Sequence, residues 1–172
     1  VFEKIYIGID NGVTGSIAVV GRGVRPVLLP TPTKIEIDYQ KSSTRKRTRV
    51  DYGKLCQILA DIKIKTDSAG YDLFAICERP MINPERFDAT ISASRAQEST
   101  LIALEHFQIP YEYIDSKNWQ KAMLPEGASG DALKLASRTI GKRFFPQLGE
   151  EIERQKDADS LLMALWAYKN NR

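Results

Sequence analysis

Residues 4–20, KIYIGIDNGVTGSIAVV, set two apolar runs on either side of a glycine-rich turn at Asn11, Gly12 and Gly15, which is the pattern of a β-hairpin. The stretch 24–32, VRPVLLPTP, predicts a third strand whose prolines suit an edge or a strand end. Over 52–65, Leu55, Ile58, Leu59 and Ile62 recur at i, i+3, i+4 and i+7, so a helix that packs on the sheet is expected there. LFAICE at 73–78 is a short continuous apolar run, the pattern of a central strand buried on both faces. A long helix is predicted over 89–107, ending before Ile109-Pro110, and a strand follows at 111–114. Asp115 or Ser116 would cap a turn carrying Trp119, with a helix over 131–145 stopping at Pro146 and an apolar last helix over 157–168. The order is β-β-β-α-β-α-β-α-α, which predicts an α/β fold with a mixed five-stranded sheet and helices on its faces.

The 172 residues suit one domain spanning 1–172, and no internal repeat or linker interrupts them. A chain that is 42% hydrophobic and 27% charged is expected to form a globular core, which excludes fibres and disordered tails. No apolar run reaches the ~18 residues of a membrane helix, so no membrane partner is expected. Cys56 and Cys77 lie on apolar segments without metal-ligand spacing and are expected to be free thiols in a reducing compartment. The chain opens on Val1, which predicts a trimmed N-terminus or a removed leader.

Net charge is +3, but it is unevenly placed. KSSTRKRTR at 41–49 holds Lys41, Arg45, Lys46, Arg47 and Arg49 and no acid. A near-neutral body with one basic, Ser/Thr-spaced segment is the pattern of a phosphate-contacting arm, and equally of a solvated flexible loop over 40–50.

Three acids occupy places that secondary structure alone does not require. Asp10 ends the run YIGI, Glu78 ends FAIC, and Asp159 opens the last helix. Singly each reads as a turn residue or a helix-dipole partner. If the first and fourth predicted strands are neighbours and the last helix lies across them, all three carboxylates meet. Clustered carboxylates raise one another's pKa and are stable mainly around hard cations, so Mg²⁺ or Mn²⁺ is the expected cofactor. Two such ions are the arrangement for in-line phosphodiester cleavage. Asp157 is either a fourth ligand or the N-cap of the last helix.

With these residues in place, the chain resembles the RuvC-like Holliday junction resolvases of the ribonuclease-H-like superfamily, in the branch of phages and bacteria with chloroplast relatives. The resemblance is carried by IGIDNGVTGSIAVV, AICERP, SASRAQESTLIALEHFQIPYEYIDSKNWQKAMLP, LASRTIGKRFFP and KDADSLLMALWAY, in that order, over nearly the whole chain. It implies a ribonuclease-H-like sheet and a homodimer that binds four-way DNA junctions and nicks them symmetrically with Mg²⁺. It implies a role in DNA recombination and repair in the cytoplasm of a bacterium or phage-infected host, or in an organelle if a leader was removed. It assigns Asp10, Glu78 and Asp159 as catalytic metal ligands. The paired acids of the last helix usually stand one helical turn apart, whereas Asp157 and Asp159 are two residues apart and would diverge by ~200° on a regular helix. Asp157 therefore either sits in a non-helical lead-in and swings inward, or the site runs on three acids with Lys156 beside it.

The resemblance also places Lys121 near the scissile phosphate and gives Arg79, directly after Glu78, either a phosphate or a surface acid as partner. Arg86 and Phe87 are expected in a loop after the central strand that enters the junction centre, where an aromatic ring can wedge between bases. Arg45, Lys46, Arg47 and Arg49 complete the expected DNA contacts. Trp119 reads as a packing anchor. Two rivals stand beside this reading. One is a junction binder that cleaves nothing. The other is an ATP-dependent kinase-like domain, because GIDNGVTGS also resembles the first phosphate loop of sugar kinases and actin-like ATPases; such proteins need two domains and a second phosphate loop, which this chain lacks.

Overall fold

The computed structural model describes residues 3–37, 44–80 and 82–172. Its main sheet has five strands: β1 (Lys4–Asp10), β2 (Ser16–Gly21), β3 (Val27–Pro30), β6 (Asp72–Glu78) and β7 (Tyr111–Ile114), in the order β3-β2-β1-β6-β7. β1 pairs antiparallel with β2 and parallel with β6, so the first and fourth sheet strands are neighbours, as the acid-cluster reading requires.

Alternation along β1 divides the core. Ile5, Ile7 and Ile9 join the layer covered by α1 (Tyr52–Ser68) and α2 (Phe87–His106), with Leu55, Leu59, Ala103 and Leu104 buried among them. Tyr6 faces the other layer, where α6 (Asp159–Lys169) contributes Leu161, Leu162, Met163 and Ala164 beside Trp119 of α3 (Ser116–Met123). Between Tyr6 and Asp10 on that second face stands Gly8. A Cβ at this position would lie 1.9 Å from the Ser160 carbonyl oxygen, so only glycine lets α6 lie directly on β1. Two helices, α4 (Gly130–Phe144) and α5 (Gly149–Gln155), complete this side.

The structure adds elements to the sequence reading. Within the segment expected as a flexible loop over 40–50, residues Lys46–Val50 form a strand. β4 (Thr33–Ile37) and β5 (Lys46–Val50) form an antiparallel ribbon separate from the main sheet, with Ile35 opposite Thr48 and Glu36 opposite Arg47. Val50 is buried in the core at one end of the ribbon, and Asp88 and Glu36 pair with its Arg47 and Arg49. Lys41 and the other residues of 38–43 lie outside the described residues. The turn expected around Trp119 is the helix α3, and α5 had no counterpart in the sequence reading; Ile152 is its one buried residue. The long helix starts two residues earlier than predicted. Asn83 accepts the Glu85 N–H and caps a 3-10 turn, Pro84–Arg86, that runs straight into α2. No helix among the described residues is long and apolar enough to cross a membrane.

Candidate metal centre and nuclease site

Asp10 and Glu78 end neighbouring parallel strands, and Asp159 opens the helix lying across them. The turn after Asp10 folds back tightly, with Gly15 N–H donating to the Gly12 carbonyl at 3.2 Å. It is fixed from two sides. Asn11 Nδ2 donates to the Ala93 carbonyl of α2 at 3.2 Å, and Gln155 Nε2 at the end of α5 donates to the carbonyls of Thr14 and Gly15 at 3.1 and 2.8 Å.

Asp157 lies in the non-helical lead-in to α6, one of the placements the sequence left open. α5 ends on Lys156 in the left-handed region at φ 73°, and α6 begins only at Asp159, so Asp157 sits in a non-helical lead-in rather than on a regular helix. Its Oδ1 accepts the Asp159 N–H at a long 3.5 Å. Its charge also acts on Asp10 and Asp159.

The electrostatics are those of like charges drawn out of water. The Asp10 carboxyl is pushed well above the usual carboxylate range, first by burial, then by the charges of Glu78, Asp159 and Asp157, and by a hydrogen bond with Glu78. Asp159 is pushed up to about 7, again chiefly by burial, with Asp157 and Glu78 adding to the shift and a Ser137 hydrogen bond opposing it. Asp157 is raised by burial, against the Asp159 N–H bond and Lys134.

Two neutral donors orient the acids. The indole N–H of buried Trp119 donates to Glu78 Oε1 at 3.2 Å. Ser137 Oγ donates to Asp159 Oδ1 at 2.5 Å and accepts the Ala158 N–H at 3.0 Å, joining α4 to the start of α6. The hydroxyls of Ser16 and Ser160, 2.6 Å apart and buried, tie the same helix start to β2. Sequence reasoning missed Ser137 altogether and saw Trp119 only as packing. A serine inside an amphipathic helix carries no local mark of a partner 22 residues away.

The donor set fits a hard divalent cation in kind: four carboxylates, two of them strongly raised, around unneutralised buried charge. Among the described residues no three His, Cys, Asp or Glu side chains stand as a ready cage. The donors match the ion in chemistry and charge while the site remains open in shape.

The remaining residues fall into two groups. Lys121 is exposed in the last turn of α3; the cations whose charge acts on Asp157 are Lys134 and Arg138, and Lys134 also acts on Asp159. Arg79 pairs with Asp115 at 3.2 Å over the Tyr113 ring, the surface-acid alternative. Arg86 is exposed in the 3-10 turn, and Phe87, expected in the loop, is the first residue of α2 with its ring 71% exposed. Arg45 and Arg47 both meet Asp88, at 3.2 and 3.5 Å, and Arg49 meets Glu36 at 2.8 Å; Lys46 is exposed on the ribbon. Neither cysteine is placed for chemistry: both thiols are free, and burial pushes Cys77 up to about 12.

A mixed sheet of three antiparallel strands extended by two parallel ones, with acids at the ends of the two central strands and on the helix across them, defines the ribonuclease-H-like architecture. Within that class the chain is similar to RuvC of Thermus thermophilus. The structure of that protein in complex with a Holliday junction substrate aligns over 98% of this chain and 95% of that one, with a TM-score of 0.61 at 14% identity. The Thermus thermophilus RuvC structure aligns over 97% and 95%, with a TM-score of 0.52 at 11% identity. No protein-family model and no curated protein matches the chain.

Proposed function

We propose that this protein is a structure-selective endonuclease that resolves four-way DNA junctions by symmetrical, metal-dependent hydrolysis of phosphodiester bonds. The observation that carries the reading is that Asp10 and Glu78 end the paired strands β1 and β6 while Asp159 opens the helix lying across them, in a fold that follows a junction-bound RuvC over nearly its whole length. Each chain holds one such cluster, so paired nicks on two strands call for two copies, and a homodimer is the simplest assembly.

Two Mg²⁺ ions, with Mn²⁺ able to substitute, would be held by these four carboxylates and would supply neutralisation of the phosphate charge and activation of water. The protein's own contribution is placement. Trp119 fixes one oxygen of Glu78, Ser137 fixes one of Asp159, and the pinned turn fixes Asp10. Lys134, and Lys121 on the neighbouring helix, are the cations for the phosphate at the cleavage point. Arg45, Lys46, Arg47, Arg49, Arg79 and Arg86 supply backbone contacts, with phosphates displacing Asp88, Glu36 and Asp115 from the arginines they now hold. Phe87, exposed at the start of α2, is the wedge for the junction centre.

The test is incubation of the protein with a synthetic four-way junction and a matched linear duplex, with Mg²⁺ or with EDTA. Paired, metal-dependent nicks in the junction alone are expected. Tight junction binding with no nicking under any divalent ion would replace the reading with that of a silent binder.

Trp119→Phe keeps most of the packed ring and removes the N–H to Glu78. Loss of a partner that orients a metal ligand typically costs about 10–100-fold in metal affinity or activity. The Mg²⁺ concentration for half-maximal cleavage, assayed well below the melting point, should rise in that range, separately from the Tm fall that trimming a fully buried ring brings. An unmoved Mg²⁺ requirement would reduce Trp119 to a packing anchor.

A further inference from the structure

Asp157 and Asp159 reach the end of β1 from the far end of the chain, on a short irregular segment. α5 ends at Gln155, α6 begins at Asp159, and Lys156 between them is left-handed. Two side chains hold this segment. At its α6 end Ser137 Oγ accepts the Ala158 N–H at 3.0 Å and donates to Asp159. At its α5 end Gln155 Nε2 donates to the Thr14 and Gly15 carbonyls at 3.1 and 2.8 Å, 141 and 140 residues away along the chain.

Gln155 does nothing for its own helix. The last turn of α5 is closed by backbone, with the Lys156 N–H on the Ile152 carbonyl at 2.9 Å. The two hydrogens of the Gln155 amide instead serve two successive carbonyls of a distant turn. That turn is joined closely to Asp10. A Cβ at Gly15 would lie 2.1 Å from the Asp10 carbonyl oxygen, so the two backbones are in direct contact. Ser16, the next residue, stands opposite Asp10 in the β1–β2 register. The Gly15 carbonyl also accepts the Thr31 N–H at 2.9 Å, which occupies its second lone pair. A shift of Gln155 is therefore a shift of the Asp157 segment against Asp10.

Spacing matters because, among the described residues, the acids do not stand as a ready cage. Mg²⁺ demands near-ideal octahedral geometry at about 2.0–2.1 Å, whereas Ca²⁺ accepts irregular sets of oxygens at about 2.3–2.6 Å. We propose that Gln155 is a positioning residue of the metal centre, a strut that sets the separation of Asp10 from the Asp157–Asp159 segment and thereby favours Mg²⁺ over Ca²⁺. The inference rests on the metal-centre reading of the four acids and adds to it what selects the ion. In this role Gln155 acts through the backbone of Gly15 and touches no ion.

The full chain, without DNA, is titrated with Mg²⁺ and separately with Ca²⁺, and the half-saturating concentration of each is read from the rise in Tm. Gln155→Met keeps side-chain length and helix propensity and removes the donor. It should raise the Mg²⁺ requirement about tenfold and the Ca²⁺ requirement far less, since losing a group that orients ligands from behind costs that much where geometry is strict. Gln155→Lys keeps a donor of similar reach. Its added charge weakens both divalent ions alike and should leave the natural ratio of the two. A residue that merely braced the loop would lower the metal-free Tm in Gln155→Met and leave the ratio unmoved, and that result overturns the proposal. One measurement needs no variant: in the metal-free natural chain the Gln155 side-chain amide hydrogens should exchange slowly with solvent, and free exchange overturns the strut. A failure of the resolvase reading looks different: Mg²⁺ binds with the Gln155-dependent preference, yet no junction is nicked. If neither ion stabilises the natural chain, both readings fall.

Discussion

Asp10→Asn abolishes junction cleavage, by at least ~10³-fold, while junction binding persists and the metal-free protein becomes more heat-stable. Asp10 is the group on which the other acids converge: the charges of Glu78, Asp159 and Asp157 all act on it after burial has already raised it. An amide of nearly the same shape removes one member of the repulsive set and one hard oxygen donor together. The gain in stability has a definite pH window. Asp10 and Asp159 bind protons more tightly in the folded chain than in the unfolded one. Their favourable contribution is complete below the unfolded value near ~4 and is lost as pH rises through the folded value, about 7 for Asp159.

In EDTA, natural protein should thus lose thermal stability between about pH 4 and pH 8, and the variant should lose less. At pH 8 the variant's Tm should be higher by several degrees, since about 1 kcal/mol moves Tm by roughly 2–4 °C in a domain of this size. Added Mg²⁺ or Mn²⁺ should raise the Tm of the natural chain, because an ion that binds only the folded site stabilises it by mass action, and should not raise that of the variant. Scanning calorimetry in EDTA and in metal, beside a gel assay, reads all three. A variant that still cuts, or whose metal-free Tm equals the natural one at pH 8, would take Asp10 out of the cluster.

The acids of this site were legible because each marks the end of an element with a strong pattern of its own. YIGI before Asp10 and FAIC before Glu78 are runs that only strands buried on both faces explain, and their parallel pairing follows from the helix between them. Asp157 was legible only as an alternative. Spacing on a regular helix sends it away from Asp159, and what takes it off a regular helix is the left-handed Lys156, a backbone state that no residue type at 156 announces. The ribbon was missed because its two five-residue strands have little periodicity between them and meet partners outside: Val50 packs into the core, and Asp88 lies in the first turn of a different helix. Charge density at 41–49 was read as a property of a loop, whereas Lys46, Arg47 and Arg49 are distributed over the faces of a strand. Trp119 and Ser137 illustrate the same limit. Their hydrogen bonds to Glu78 and Asp159 join elements distant along the chain, and nothing local distinguishes them from core tryptophan and helix serine.

Gly8→Ala should be the most damaging single methyl in the protein. The added Cβ would lie 1.9 Å from the Ser160 carbonyl oxygen and 2.9 Å from the Ala164 nitrogen, both backbone atoms of α6. No rotamer change relieves a backbone clash, so α6 as a whole has to move off β1 by more than an ångström to restore ordinary contact. The packing lost is that of Leu161, Leu162, Met163 and Ala164, all fully buried, and a cost of about 3 kcal/mol or more is expected, the upper end for overpacking. Asp159 precedes Ser160 directly, so the displacement that relieves the clash also carries this carboxylate away from Asp10 and strains the Ser16–Ser160 hydrogen bond. Gly21→Ala is the matched control. Its Cβ meets Ile5 Cδ1 at 2.3 Å, the far end of a side chain that can rotate, on the other face and at the far end of the same hairpin. Circular dichroism melts should show a fall in Tm of at least about 6 °C for Gly8→Ala and a small one for Gly21→Ala. Assayed well below its melting point, folded Gly8→Ala should still cut poorly and gain less Tm from Mg²⁺, whereas Gly21→Ala keeps both. A folded Gly8→Ala protein with full cleavage would mean that the seating of α6 on β1 does not set the position of Asp159.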